Sequence, residues 1–292
     1  MKRLKRKVGD YARLIKIEHT LFSLPVALSG MMLADPQPPI RDLLLVLVAM
    51  FGARTAAMAM NRWVDRDIDA LNPRTKNREI PTGRVSTRET LILAGLGFAL
   101  YTVAAFALSP WCGYLSPIPA AVFVIYPYLK RWTWLCHVGI GMALGLSPLG
   151  GFLAVTKTLS AAVAHPNFPA AVTVAIFTVF WVGCFDIYYT LLDLAFDRTH
   201  GIYSIPVRFG PGVAMMVAVV GHLLGTAVIA WGAWHAAHRL WPVIGLVMGL
   251  GSIFVYEHIL ARRGRIEAAF FHSNVVVGVL VLGFFYFLTR PL

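Results

Sequence analysis

Two short segments hold six of the fourteen acidic residues in this 292-residue chain. The first runs Asn61-Arg62-Trp63-Val64-Asp65-Arg66-Asp67-Ile68-Asp69. The second runs Asp186-Ile187-Tyr188-Tyr189-Thr190-Leu191-Leu192-Asp193-Leu194-Ala195-Phe196-Asp197. Asn61, Asp65 and Asp69 recur at i, i+4 and i+8, so on a helix they share one face. Asp186, Asp193 and Asp197 recur at i, i+7 and i+11 and form a second stripe. Asp67 points off the first stripe. Like charges one turn apart repel, and each stripe ends an apolar run, where an acid is costly and usually functional. Such a stripe needs a cation. Hard divalent ions take oxygen ligands, and Mg2+ typically keeps waters and phosphate oxygens in its shell. Two facing stripes therefore suit Mg2+ ions gripping a diphosphate. The plainer reading pairs these acids with Arg62, Arg66 and Arg198 at a helix end. One Asp-rich turn leaves that open; two on one side of the membrane weigh against it.

Cations accompany the acids. Tyr126-Pro127-Tyr128-Leu129-Lys130-Arg131 puts Lys130 and Arg131 at another run's end, as anion ligands or as membrane-interface anchors. Arg54 lies seven residues before Asn61 on roughly the same face. Buried there it needs an anion, either a substrate phosphate or Asp65. Arg198 follows Asp197 and joins the candidate anion ligands. His19 and His137 read as hydrogen-bonded packing residues, with His19 beside Glu18 the nearer of the two to an acceptor. Asn72, Arg74, Asn77 and Arg78 lie in the loop after the first stripe. That loop and residues 199–211 either cap a cavity or are solvated.

The elements that position these residues are apolar runs. The chain is 58% apolar and only 14% charged, with a mean hydropathy of +0.68. A soluble domain is nearer 45–50% apolar and about 25% charged. This balance excludes an ordinary soluble enzyme, a disordered chain and a disulfide scaffold. Cys112, Cys136 and Cys184 are too scattered for a metal or disulfide framework. A helix needs about 20 apolar residues to cross a bilayer. Nine runs qualify: Tyr11–Ala34, Leu43–Asn61, Thr90–Leu108, Ile118–Lys130, Leu135–Val155, Ala170–Leu192, Val213–Trp234, Leu240–Leu260 and Ala268–Leu288. The fourth is the shortest and is broken by prolines. The first is no cleavable signal, because it holds Glu18 and His19 and lacks a clear cleavage site.

The net charge is +12. With nine spans, 21 of the 26 Lys and Arg residues fall on one side, four on the other, and Arg54 within the second span. Basic loops stay cytoplasmic, so the N-terminus and both acid stripes are expected on the cytoplasmic side. The excess positive charge is then an orienting signal and not a nucleic-acid surface. The basic N-terminus, Lys2 to Lys7, is expected to meet anionic lipid. Gly141 with Gly145, Gly221 with Gly225, and Gly245 with Gly249 have the small-xxx-small spacing of close helix contacts.

The segment NRWVDRDIDALNPRTKNREIPTGR, from Asn61 to Arg84, resembles the first Asp-rich signature, NDxxDxxxD, of the UbiA-type intramembrane prenyltransferases. The segment DIYYTLLDLAFDRTHGIYSIPVRFG, from Asp186 to Gly210, resembles the second, DxxYxxxD with a further acid four residues on. YPYLKR followed by Trp132-Thr133 is similar to the 4-hydroxybenzoate polyprenyltransferase branch. The resemblance implies an all-α membrane protein, a bundle of nine transmembrane helices around a central cavity. It implies one integral-membrane domain over residues 1–292, in a bacterial-type cell membrane. It implies transfer of a polyprenyl group from polyprenyl diphosphate to an aromatic acid, first 4-hydroxybenzoate in ubiquinone-type quinone biosynthesis. By position, Asn61, Asp65 and Asp69 would bind one Mg2+–diphosphate, and Asp193 and Asp197 another. Asp186 lies where the family has an acid near the acceptor, and Lys130 and Arg131 match its basic pair. Arg62 replaces the acid of the usual Asn-Asp pair. Lys16-Ile17-Glu18-His19-Thr20-Leu21 departs from the ubiquinone-pathway pattern and also suits members that prenylate a dihydroxynaphthoate in menaquinone pathways.

The chemistry fits these residues. Mg2+ and cations stabilise a departing diphosphate, and aromatic faces shelter an allylic cation. Tyr126, Tyr128, Tyr188 and Tyr189 lie beside the stripes, Tyr189 being the substrate-contact candidate. Asp186 precedes Asp193 by two turns, about 10 Å along a helix, so it is expected deeper, where it takes or orients the acceptor's proton. Arg131 is the sequence's candidate for an acceptor carboxylate, because Arg grips carboxylates bidentately. A transporter is the competing class. Transporter acids usually lie near the midplane on broken helices, whereas these sit at one interface.

Overall fold

The computed structural model describes residues 2–289, without the side chains at 2–5, 237 and 268–270. Arg290 and the side chains of Lys2, Arg3 and Lys5, all counted above, lie outside the described residues. The chain runs α1 (Lys2–Leu14), a 3-10 turn (Ile17–His19), α2 (Thr20–Ala34), α3 (Ile40–Leu71), α4 (Thr87–Leu108), α5 (Pro110–Leu115) and α6 (Pro117–Leu129). It continues through α7 (Cys136–Thr156), α8 (Leu159–Ala164), α9 (Phe168–Thr190), a 3-10 turn (Leu191–Asp193), α10 (Leu194–Thr199), α11 (Ile205–Ala237), α12 (Leu240–Arg262) and α13 (Ile266–Leu288). Among the described residues there is no strand, and nine helical stretches are long and apolar enough to cross a membrane. The large apolar side chains left outward, such as Leu96, Val103, Leu223 and Met248, suit hydrocarbon.

Local chemistry sets the boundaries, and several expected runs break where the sequence pattern is silent. The run expected from Tyr11 is cut at Lys16, which takes a left-handed conformation (φ 47°). The amphipathic α1 lies on one side of this break and the apolar α2 on the other. The fourth span begins earlier than expected, at Pro110. Ser109 caps α5 by accepting from Cys112 N, and a break at Ser116 starts α6 with Pro117 at its first position. Pro fits there because the first-turn N–H is unpaired anyway. Ser86 and Glu89 form a capping box that starts α4. Ser204 caps α11, which bends at Gly210 (φ 84°).

α9 is the central helix, packed on α2, α7, α11 and α13. Its Trp181 is fully buried, stacks on Phe177 with ring centroids 5.9 Å apart, and donates to Asn274 Oδ1 of α13 at 2.8 Å. Close approach of neighbours depends on glycine. A Cβ on Gly141 would lie 2.5 Å from Val179 O, and one on Gly221 would lie 2.3 Å from Cys184 Sγ. Both of those spacings are helix contacts on α9. The third is only half a contact, since Gly249 meets Leu280 while Gly245 faces open space. The tightest crossing is α2 on α7, where a Gly30 Cβ would lie 1.9 Å from Pro148 O. That neighbour is backbone and cannot rotate away. Gly30→Leu is therefore expected to abolish monodisperse protein in detergent, whereas Gly245→Leu leaves the yield unchanged. Equal yields of the two variants would contradict this packing.

Candidate active site

A cavity of about 590 Å³ opens between α2, α3, α6, α7 and α9. One end is lined by Asn61, Asp65, Asp69, Lys130, Asp186 and Asp193, and the other by Met50, Tyr101, Leu108, Leu115, Phe152 and Phe168. α3 supplies the first stripe. Its 32 residues span about 48 Å at 1.5 Å per residue, against about 30 Å of hydrocarbon. Its last turns therefore reach the interface, and Asn61, Asp65 and Asp69 share one face there as expected.

Asp65 and Asp69 are each buried against a cation. Asp65 is 3% exposed and accepts from Lys130 Nζ at 2.6 Å and from Asn61 Nδ2 at 3.4 Å, both through Oδ2. Its Oδ1 is buried without a hydrogen-bond partner. Asp69 Oδ1 accepts from Arg78 Nη1 at 2.7 Å, and its Oδ2 lies 3.9 Å from Arg62 Nη1. Asp67 is exposed and pairs with Arg66 at 3.3 Å.

The second stripe is not one helix face. α9 ends at Thr190, a 3-10 turn carries Asp193, and a new helix, α10, carries Asp197. A 3-10 turn has fewer residues per turn than an α-helix, so the i, i+7, i+11 register is lost. The three acids still face the same cavity. Asp193 accepts from Arg74 Nε at 2.8 Å on Oδ1 and from Arg74 Nη2 on Oδ2, a bidentate fork. Asn72 Nδ2 adds a bond to Oδ1 at 2.8 Å, and Arg74 Nη1 donates to Tyr189 OH at 3.1 Å. The Asp193 and Tyr189 contacts hold the Arg74 guanidinium above its ordinary pKa despite its burial. Asp197 is 7% exposed, and its carboxylate makes no hydrogen bond or ion pair among the described residues. Asp186 Oδ2 lies 2.7 Å from His137 Nδ1.

The candidate cations separate. Lys130 and Arg54 line the cavity; Arg131 and Arg198 do not. Arg131 is exposed, donates to Val64 O at 2.6 Å and lies over the Tyr128 ring. It closes a carbonyl of α3 and points away from the acceptor space expected of it. Arg198 is exposed on α10. Arg54 faces the cavity with its Nε covered and without a partner, and no ion pair joins it to Asp65. Of the four tyrosines, Tyr126 and Tyr189 line the cavity. Tyr188 turns to α12, its OH 3.1 Å from His258 Nδ1, and Tyr128 stacks on Trp132.

Sequence reasoning undervalued Asn72, Arg74 and Arg78, placing them only in a capping loop, and missed Lys16, which lines the cavity beside His19. Burial, together with nearby Arg62 and Arg78, pushes the Lys16 ammonium down to about 8. A lysine interrupting an apolar run was the available signal for Lys16. For Arg74 and Arg78 the signal was the surplus of arginines directly after an acid stripe.

The oxygen donors suit Mg2+. Asn61, Asp65, Asp69, Asp193 and Asp197 offer only hard ligands, and Asp65 Oδ1 and the Asp197 carboxylate have no hydrogen-bond partner among the described residues. Among the described residues no three His, Cys, Asp or Glu side chains close into a ready metal cage. Mg2+ that completes its shell with water and phosphate fits such half-sites.

The sequence profile of the UbiA prenyltransferase family matches residues 23–287. A relative from Alkalilimnicola ehrlichii, a 4-hydroxybenzoate octaprenyltransferase, is 29% identical over 288 residues, covering 96% of this chain and 90% of its own. A UbiA homolog from Aeropyrum pernix K1, solved without ligand, superposes with a TM-score of 0.83 at 32% identity, over 92% of this chain and 97% of that one. A UbiA homolog from Archaeoglobus fulgidus, solved with DMAPP and Mg2+, has the same fold (TM-score 0.72, 18% identity) over 96% of this chain and 99% of that one.

Proposed function

The chain belongs to the UbiA prenyltransferase family, and from that membership we propose that residues 1–292 act as one unit that moves a polyprenyl group from its diphosphate to the ring of an aromatic acid, 4-hydroxybenzoate first, in quinone biosynthesis. Family membership makes the chain a membrane-embedded prenyltransferase and removes the transporter alternative. The observation that carries the finer reading is the cavity itself. Acids and cations crowd one end, and an apolar wall runs to the other, so a diphosphate head and a hydrocarbon tail each have a place. The match to 4-hydroxybenzoate octaprenyltransferases supports the acceptor. The Archaeoglobus homolog solved with DMAPP and Mg2+ supports the donor and the metal.

Asn61, Asp65 and Asp69 would hold one Mg2+, and Asp193 and Asp197 a second. When bound, these ions supply positive charge that stabilises the departing diphosphate. Lys130, Arg74 and Arg78, paired with the acids at this end of the cavity, would be the cations that meet the diphosphate oxygens. The bond between the allylic carbon and the diphosphate oxygen breaks, and its electron pair leaves with the diphosphate. A ring carbon beside the acceptor hydroxyl forms the new carbon–carbon bond. The ring proton that must then leave goes to Asp186, whose carboxylate faces the cavity. Arg54, in place of Arg131, holds the acceptor carboxylate, and Tyr126 and Tyr189 shelter the allylic cation. The site faces the cytoplasm, a reading that the 21 basic residues on its side support.

The test is an assay of membranes with one labelled polyprenyl diphosphate and a panel of acceptors. Labelled product with 4-hydroxybenzoate, exceeding that with a dihydroxynaphthoate by at least about tenfold, is expected. The reverse preference assigns the chain to naphthoate prenylation and overturns the acceptor.

A further inference from the structure

His137 read from sequence as a packing residue, and it is 2% exposed. Its two ring nitrogens are both engaged, by different elements. Nε2 faces the backbone N–H of Ile205 at 3.3 Å, and Nδ1 lies 2.7 Å from Asp186 Oδ2. Ile205 is the first residue of α11, and its N–H is one of the donors that a helix start leaves unpaired. A backbone N–H can only donate, so Nε2 must offer its lone pair, and the ring proton must sit on Nδ1. His137 is thereby fixed as a neutral donor to Asp186. One oxygen of Asp186 is held, and Oδ1 is without a hydrogen bond among the described residues. The Asp186 side chain remains 21% exposed on the cavity wall.

We propose that His137 is a positioning residue for the transfer step: anchored by the start of α11, its Nδ1–H pins Asp186 Oδ2 so that Oδ1 faces the acceptor ring and takes its proton. This rests on the prenyltransferase reading above. His137 gives up no proton in the cycle, because its Nδ1–H is needed to hold Asp186 and its Nε2 is needed by Ile205. The arrangement also ties the loop before α11 to the reacting acid. The segment from Gly201 to Ile205 is anchored on the other side by the bond from Tyr203 N to Lys130 O, at 2.7 Å. The residue carrying a phosphate-side cation and the residue orienting the proton acceptor therefore meet the same short segment.

Glutamine separates positioning from acid–base exchange. Its amide donates on one side and accepts on the other but does not titrate. His137→Gln is expected to keep kcat within about threefold of the parent. His137→Leu, lacking both bonds, is expected to lower kcat at least about tenfold with the donor KM within about twofold. A glutamine variant as impaired as the leucine variant would show that the imidazole exchanges protons, overturning the proposal, as would a leucine variant of parental kcat. Where the leucine variant does not fold, nitrogen NMR of labelled histidine in the parent decides: the neutral Nδ1–H tautomer supports the proposal, and the other tautomer or the imidazolium contradicts it. A parent inactive toward every acceptor would instead remove the reading of function, leaving the tautomer measurement to judge the hydrogen bonds alone.

Discussion

Asp65→Ala and Asp193→Ala each lower kcat/KM for prenyl transfer by at least about 10²-fold, the scale on which charge stabilisation at a leaving group acts. Asp67→Ala stays within about threefold of the parent. The contrast follows from placement. Asp65 is 3% exposed, with one oxygen on Lys130 and the other without a partner in the cavity wall. Asp193 is gripped by Arg74 and Asn72 at the same cavity end. Removing either acid takes away a proposed metal ligand and also strands a half-buried cation, Lys130 or Arg74, so a folded-protein check accompanies the kinetics. Asp67 lies two residues from Asp65 with the same charge, yet faces solvent and pairs with Arg66. An effect at Asp67 equal to that at Asp65 would mean that net negative charge near the membrane surface, and not a directed ligand, sustains activity.

The second large effect is expected at Arg54. Arg54→Gln raises the KM for 4-hydroxybenzoate at least about tenfold while leaving the donor KM within about twofold. A charge-assisted hydrogen bond to a carboxylate contributes about 1.5–3 kcal/mol, or roughly ten- to a hundredfold in affinity. Arg54 Nε is covered and unpartnered, so the guanidinium awaits an anion. Of the acids near it, Asp65 is already held by Lys130, and Glu18, which is exposed and off the cavity wall, makes no ion pair with it among the described residues. Arg131→Ala is expected to leave both KM values unchanged, since that guanidinium is spent on Val64 O. Should Arg54→Gln weaken the donor alone, Arg54 belongs to the diphosphate, and the acceptor carboxylate must be held near Lys16 and His19.

What the sequence made legible follows physical periodicity. Asn61, Asp65 and Asp69 sit on one continuous helix, so their spacing translated directly into a shared face. The nine apolar stretches were legible for the same reason, since length and hydropathy are local properties. Asp186, Asp193 and Asp197 converge on the cavity by another route than the one their spacing implied. The 3-10 turn at Leu191–Asp193 leaves no pattern in a run of leucines. Lys130 and Arg131 are neighbours of identical charge, and only packing shows that one turns to Asp65 and the other to a backbone carbonyl. The partners of His137 are equally invisible to a linear reading, because Asp186 is 49 residues away and Ile205 is 68.

The central claim is that two half-sites of carboxylates become one diphosphate site only through divalent cations. It is tested most directly by product formation from labelled polyprenyl diphosphate and 4-hydroxybenzoate in purified, detergent-solubilised protein, stripped with EDTA and then titrated with Mg2+. The account predicts no product in excess EDTA and full recovery on adding Mg2+, with neither response in Asp65→Ala. Undiminished turnover in excess EDTA would contradict it, because Arg74, Arg78 and Lys130 alone would then be neutralising the acids and binding the diphosphate.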